Sequence, residues 1–278
     1  MGRRVVAFAP GHISGYFQRV DGTTTGTTGS LGAGIVISRG VRLIMSEADA
    51  SCISIKNSTD DGWLIKEVLR TLGVSASVTV DAEMPIGAGF GMSAAGLLAS
   101  YHAANRLFDL GYSDAELTAL AHDFEVRHGT GLGDVAAASG GGIVVRTSAG
   151  IEGVEKRIFT DEPIYAVSFG AIPTPDIITS PEKMEKVREA FPACEPNDLE
   201  GLMENSRSFA EKSGLLTPRL KEILAACDAE NIQASMTMLG EGIFAFGKDA
   251  KSILSKFGEV YTLSVSKTGP VILEDSYV

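Results

Sequence analysis

Alternation and helical periodicity divide the chain into a strand-rich opening and a helix-rich middle. Val5 to Ala9 reads as a short buried strand. Gly34 to Ser38, Arg42 to Glu47 and Cys52 to Lys56 read as further strands, bounded by Gly, Asp or Ser. After Asp60-Asp61-Gly62, the apolar residues Trp63, Leu64, Val68, Leu69 and Leu72 recur at helical spacing, and Gly73 ends the run. Ser75 to Val80 returns to a strand, and Pro85 to Gly96 is a glycine-rich loop opening a helix of small residues through about Phe108. Ser113-Asp114-Ala115-Glu116 has the form of a capping box, with Leu117, Leu120, Ala121 and Phe124 on the apolar face of the helix it starts.

A second glycine segment, Gly129 to Asp134, precedes a strand from Ile143 to Arg146, and another strand covers Pro163 to Phe169. Helical patterns dominate from Pro181 to about Leu239, with breaks near Pro192, Pro196, Gly214 and Pro218. The end is mixed: a helix near Asp249 to Phe257, a strand from Val260 to Val265, the turn Lys267-Thr268-Gly269-Pro270, and a strand from Val271 to Glu274. This order predicts an α/β (α+β) protein of one large or two compact domains, with a boundary near residues 148–162.

Charge narrows the partners. Lys and Arg number 24 against 35 Asp and Glu, a formal charge of -11 that repels phosphate backbones and anionic lipid, so neither nucleic acid nor membrane is expected. An anionic substrate would have to be held by helix N-termini, a metal ion or a few placed cations. The 32 glycines in 278 residues point to close backbone approach somewhere in the fold. Cys52, Cys194 and Cys227 have neither disulfide-framework nor zinc-ligand spacing and read as reduced packing residues. The apolar run Val5–Ala9 stops at Pro10, too short for a signal-peptide core, so a cytoplasmic location is expected.

Candidate chemistry centres on the first glycine loop. A glycine loop before a helix aligns bare N–H groups with the positive end of the helix dipole, which suits phosphate. No G-x-x-x-x-G-K-[ST] occurs, and Gly87-x-Gly89-x-Gly91 lacks the third glycine of a dinucleotide fingerprint. A tight turn with a close helix contact is the alternative for an isolated loop. Ser93 at the helix start and Glu125 on a neighbouring helix could share Mg²⁺, and Asp134 could accept the proton of a substrate hydroxyl. Taken singly, Asp134 also fits a helix cap and Glu125 a solvated helix face; the combination favours chemistry. His122 and His128 lack the i, i+4 spacing of a helical zinc site, so no structural metal is expected.

These residues carry a family resemblance. Pro85-Ile86-Gly87-Ala88-Gly89-Phe90-Gly91-Met92-Ser93-Ala94-Ala95 resembles the P-x-x-x-G-L-x-S-S-A phosphate loop of the GHMP kinases, and Glu125 to Asp134 resembles the segment that follows it there. Ala9-Pro10-Gly11-His12-Ile13-Ser14-Gly15-Tyr16-Phe17, Gly29 to Ile35, Gly89 to Gly96 and Ser266 to Pro270 together are similar to an archaeal branch of that family, nearly end to end. The resemblance implies two lobes, residues 1–155 binding ATP and residues 156–278 completing the fold. It further implies ATP and Mg²⁺ dependence, a homodimer, and phosphorylation of the primary hydroxyl of (R)-pantoate to 4-phosphopantoate on the route to coenzyme A. Homoserine, mevalonate or a sugar are alternative acceptors, and a non-catalytic ligand-binding protein is an alternative of another class.

Residue by residue, Pro85, Gly87, Ala88, Gly89, Phe90, Gly91, Met92, Ser93 and Ala94 match the loop wrapping the triphosphate. Ser93 and Glu125 match the magnesium positions, and Asp134 matches the base. The family's third motif is reduced here to Thr268-Gly269-Pro270. The nine-residue step from Glu125 to Asp134 is shorter than in mevalonate kinases, so Asp134 either abstracts the hydroxyl proton or only positions the hydroxyl. Pantoate carries a carboxylate, two hydroxyls and a geminal dimethyl group, and needs cationic or amide donors beside an apolar wall. His12, Ser14, Gln18 and Arg19 are the donor candidates, Tyr16 and Phe17 the walls, with Arg127 and His128 as alternatives.

Overall fold

Two long antiparallel strands, β1 (Arg3–Val20) and β2 (Gly29–Glu47), form the spine of the computed structural model, which describes residues 2–172 and 180–277. The sequence predicts three short strands here because Pro10, Gly11 and Gly40 read as punctuation. The structure instead places these residues at an irregularity, where Pro10 faces Gly40 and Gly11 faces Ile37. Proline is tolerated at a bulge, and a Cβ on Gly40 would lie 1.9 Å from the Ala9 carbonyl oxygen, so the strands bend without ending. The bend lets β2 serve two neighbours. Val41–Glu47 pairs with β4 (Ala76–Ala82), and Gly32–Ile35 pairs with β5 (Ile143–Arg146).

Strand β3 (Cys52–Ile55) adds in parallel to β4, β6 (Val154–Ile158) pairs with β5, and β11 (Val271–Tyr277) returns from the end of the chain to pair with β1. This seven-stranded sheet is covered by α1 (Trp63–Leu72), α2 (Met92–Leu107) and α3 (Asp114–His128), with the five-residue α4 (Asp134–Ala138) beside α2 and β1. Helix α2 is buried around nearly its whole circumference, which its Ala and Gly residues permit by letting neighbours approach. Leu97 and Leu98 are fully buried on it, and truncating either to Ala should cost about 2–5 kcal/mol. The capping box forms as read: Ser113 accepts from the Glu116 N–H, and the Glu116 carboxylate accepts from the Ser113 N–H.

A second sheet has the order β10-β7-β9-β8, from β7 (Ile164–Ala171), β8 (Gln233–Met236), β9 (Gly240–Phe246) and β10 (Tyr261–Leu263). Helices α5 (Pro181–Glu189), α6 (Leu199–Lys212), α7 (Pro218–Ala229) and α8 (Ala250–Leu254) accompany it. The helical pattern predicted to run to Leu239 therefore ends at Ala229. The short strand Gln233–Met236 is too brief to show a period of two, and Leu239 turns the hairpin at a φ of 61°. A cut between residues 155 and 156 would divide β6 and part β11 from its sheet, so any lobes follow the sheets and not a single point in the chain. Among the described residues no helix is long and apolar enough to cross a membrane.

Strand β11 is tied down by charge. Asp275 accepts from Arg3 at 2.9 and 3.0 Å and from Arg106 on α2 at 2.6 Å, and these bonds hold its pKa down to about 2 from 3.8. Because the folded value lies below the unfolded one, the contribution is present above about pH 4 and lost as pH falls toward 2. The melting temperatures of the wild type and Asp275→Asn should thus differ at neutral pH and converge in an acid series.

Candidate active site

The loop between β4 and α2 is built on alternate glycines. Gly87, Gly89 and Gly91 have φ of 76°, 81° and 68°, a left-handed conformation that L side chains rarely adopt. Two of them are also held by contact: a Cβ on Gly89 would lie 2.8 Å from the Met238 carbonyl oxygen, and one on Gly91 2.8 Å from the His12 nitrogen. The loop is pinned from both sheets. The His12 N–H donates to the Phe90 carbonyl at 3.0 Å, and the Thr237 hydroxyl donates to the Ala88 carbonyl at 3.1 Å. Ser93 follows in the first turn of α2, and among the described residues its hydroxyl has no hydrogen-bond partner.

A cavity opens against this loop, lined on the other side by His12, Ser14, Thr130, Asp134 and Arg146, with Phe17 and Leu239 as apolar wall. Asp134 sits at the first position of α4, its side chain 31% exposed. The buried His12 ring places Nδ1 2.7 Å from Asp134 Oδ1, and the Ser14 hydroxyl lies at 3.5 Å. Burial pushes the His12 pKa down, so the ring is neutral and its Nδ1–H donates to the carboxylate. Burial works to raise the Asp134 pKa, but the bond from His12 and the charge of Arg146 outweigh it and hold the carboxyl below its ordinary value. Asp134 is therefore an oriented carboxylate at neutral pH, facing the cavity.

Glu125, on α3, lies behind the glycine segment: a Cβ on Gly131 would stand 2.7 Å from its Oε2. It is 1% exposed and bonded to His122 Nδ1 at 3.0 Å, and its other oxygen accepts from the Val135 N–H at 3.4 Å. His122 Nε2 faces the Thr28 carbonyl at 3.1 Å, so that nitrogen carries a proton. Its Nδ1 faces Glu125 Oε1. Burial raises the Glu125 pKa; burial alone would discharge His122, but its bond to Glu125 raises the ring above the ordinary imidazole value.

Arg146 ends the buried run Ile143–Arg146 and is 4% exposed, yet its guanidinium donates no hydrogen bond among the described residues. Burial pulls its pKa down while Asp134 and Glu125 support its charge, and an arginine stays protonated under such opposing effects. His12 Nε2, Thr130 Oγ1 and Arg146 Nη1 are buried without partners, and all three residues line this cavity. His12 Nε2 packs against Gly34 and Arg146 Nη1 against Gly133, where an added Cβ would lie 2.4 and 1.4 Å away.

The structure thus brings together His12, Ser14, Asp134, Ser93 and the glycine loop, with Glu125 directly behind. It does not bring in Gln18 and Arg19. These lie further along β1 beside α5, in a shallow groove with Met184 and Arg188, and Arg19 pairs with Asp21 at 2.7 Å. An extended strand advances about 3.3 Å per residue, so four or five positions beyond Ser14 carry them out of reach. Tyr16 is core, packed against Phe191 and Phe209, while Phe17 reaches the cavity. Arg127 pairs with Asp123 on the helix surface and His128 stacks on Phe124, both away from the cavity. Sequence reasoning missed Arg146 and Thr130; the signal for Arg146 was a lone charge closing an otherwise apolar strand.

Comparison of the whole chain with known proteins gives its family. A profile of the GHMP kinases N terminal domain matches residues 62–142. The chain is 43% identical to a pantoate kinase of Methanospirillum hungatei over 279 residues, covering 97% of this chain and 96% of that protein. It is 32% identical to the pantoate kinase of Methanocaldococcus jannaschii, covering 89% and 96%. A solved phosphotransferase related to the CoA biosynthesis pathway superposes with a TM-score of 0.79 at 28% identity, covering 97% and 98%. Mevalonate-3-kinase of Thermoplasma acidophilum shares the fold alone, with a TM-score of 0.67 at 13% identity over 99% and 100%. The chain belongs to the GHMP kinases and is a small-molecule kinase. Within that class it belongs to the pantoate kinase family.

Proposed function

We propose that the protein transfers the γ-phosphoryl group of ATP to the primary hydroxyl of (R)-pantoate, giving 4-phosphopantoate and ADP in coenzyme A biosynthesis. The observation that carries this reading is Arg146, a buried cation without a hydrogen bond in the same cavity as the oriented Asp134 carboxylate. Arg146 binds the substrate carboxylate, Phe17 and Leu239 take the geminal dimethyl group, and Asp134 accepts a hydrogen bond from the reacting hydroxyl. His12 holds Asp134 through Nδ1–H. The N–H groups of the Gly87–Ser93 loop at the α2 terminus receive the phosphates.

The Ser93 hydroxyl, which lines the cavity, suits a hard divalent cation, whereas Glu125 lies behind the glycine segment with both carboxylate oxygens hydrogen-bonded and would support such an ion from behind. Nucleotide phosphates and water would complete the shell of a Mg²⁺ held there, and the ion would neutralise developing phosphate charge. The rest is placement: the loop fixes the donor, Arg146 and Asp134 fix the acceptor, and their alignment replaces much of the entropic barrier. The same reading makes the protein a cytoplasmic homodimer, tested by a light-scattering mass near twice 29.2 kDa.

The decisive experiment offers ATP and Mg²⁺ with (R)-pantoate, pantothenate, homoserine, mevalonate or galactose and follows ADP release, with mass spectrometry of the product. Pantoate is expected to drive ADP release and gain one phosphoryl group. Preference for another alcohol would retain the kinase class and overturn the substrate.

A further inference from the structure

The residue that faces the reacting hydroxyl stands on α4, a helix of five residues. A helix this short does not hold itself, and its position must come from its surroundings. Asp134 is at its N-terminal end and is tied to His12 there. What secures the other end is Arg157, on β6. Its Nη1 donates to the carbonyls of Ala137 and Gly141, both at 2.8 Å, and its Nη2 donates to Ala136 at 3.1 Å. No carboxylate pairs with Arg157 among the described residues, and all three acceptors are backbone groups in or just past the last turn of α4. A cation at a helix C-terminus satisfies orphan carbonyls and opposes their partial negative charge.

The shortened third motif closes the opposite side. The Gly142 N–H donates to the Ser266 carbonyl at 2.8 Å, and the Ser266 hydroxyl donates to the Thr268 carbonyl at 2.8 Å. A Cβ on Gly269 would lie 2.1 Å from the Ser139 carbonyl oxygen, and one on Gly141 2.3 Å from that of Ser266. Thr268-Gly269-Pro270 does not line the cavity; it packs on the end of α4.

We infer that Arg157, with the Ser266–Gly269 turn packed opposite it, is a positioning residue for Asp134, clamping the C-terminal end of α4 so that the carboxylate at its other end stays aligned with the acceptor hydroxyl. This rests on the reading of Asp134 given above. Arg157 does not line the cavity, and it acts by fixing where α4 stands.

The test is a double-mutant cycle. Arg157→Gln should lower kcat by roughly 10- to 100-fold with KM for ATP little changed, since a misplacement of about 1 Å costs that much. Arg157→Lys should recover part of the loss, and Gly269→Ala should reproduce it from the opposite side. On an Asp134→Asn background the same substitutions should cost almost nothing more. An Arg157→Gln protein with wild-type kcat, or one whose loss persists in full on the Asp134→Asn background, would overturn the inference. If Arg157→Gln does not fold, Arg157→Lys and Gly269→Ala carry the cycle. A readout free of turnover is the downfield proton resonance of His12 Nδ1–H, which should shift or broaden in Gly269→Ala, a variant that loosens α4 while leaving in place the Arg157 charge that His12 feels directly. An unmoved resonance would overturn the clamp, whereas a wild-type protein inactive on every alcohol would overturn the functional reading beneath it.

Discussion

Asp134→Asn is expected to lower kcat by about 10²- to 10⁴-fold, the range that a positioned acid or base supplies. The fold should survive, because the Asn amide oxygen still accepts from His12 Nδ1–H and the first turn of α4 keeps its backbone bonds. KM for ATP should change little, since the nucleotide is received by the glycine loop. The pH profile distinguishes alignment from proton removal. The wild-type carboxylate titrates below its ordinary value of 3.8, so it is ionised above that value and lost only as pH falls through the lowered folded pKa. Activity between about pH 5 and 8 should then be flat with respect to this group. A rising limb near neutrality that disappears in Asp134→Asn would contradict the electrostatics of the His12–Asp134–Arg146 cluster, since one from the His122–Glu125 pair would persist in that variant. Steady-state kinetics of the two proteins across pH settles the matter.

Arg146→Met should lower kcat/KM for pantoate by roughly 100-fold, because two charge-assisted bonds to a carboxylate are worth several kcal/mol before desolvation is subtracted. Apo stability should move the other way. The wild-type site keeps a buried cation without a hydrogen bond, so replacing it by an apolar chain of similar length should leave the melting temperature unchanged or higher. A neutral pantoate ester separates charge reading from general packing: the wild type should discriminate strongly against it, and the Met variant should not. Arg146→Lys should rescue little, since a point charge lacks the planar fork. Equal discrimination in both proteins would remove Arg146 from carboxylate recognition.

Much of this site was legible because its residues are neighbours in sequence. The step from glycine loop to Ser93 is local, and so is that from Glu125 through the second glycine segment to Asp134; alternate left-handed glycines announce themselves as Gly-x-Gly-x-Gly. The Ser113 capping box and the Gly73 helix end are equally local and appear where expected. The failures are long-range. Pro10 and Gly40 look like strand ends until the bulge that joins them across two strands is known. Gln18 and Arg19 look close to His12 until β1 is seen to run straight past them. Arg146 becomes chemical only because β5 pairs with the Gly32–Ile35 half of β2 and lays its last residue beside Asp134. Strand β8 was hidden because its four residues leave too few positions for alternation to register, and β9 because it is buried nearly throughout and does not alternate.

The three left-handed positions at 87, 89 and 91 leave the phosphate cradle without side chains at alternate residues. In the reading proposed above, its contacts with ATP would be made by main chain, which is the same in every protein, so there would be little in the donor half for selection to vary. In the same reading, choice of acceptor would fall to a different set of parts that line the cavity: the His12 strand, the end of β5 and the turn at Met238 and Leu239. The loop is nonetheless tied to these parts through His12 N–H and the Thr237 hydroxyl, so only side chains outside those two bonds are free to vary. A change of substrate in this fold should therefore be sought by altering positions such as 17, 146 and 239, with the loop left untouched.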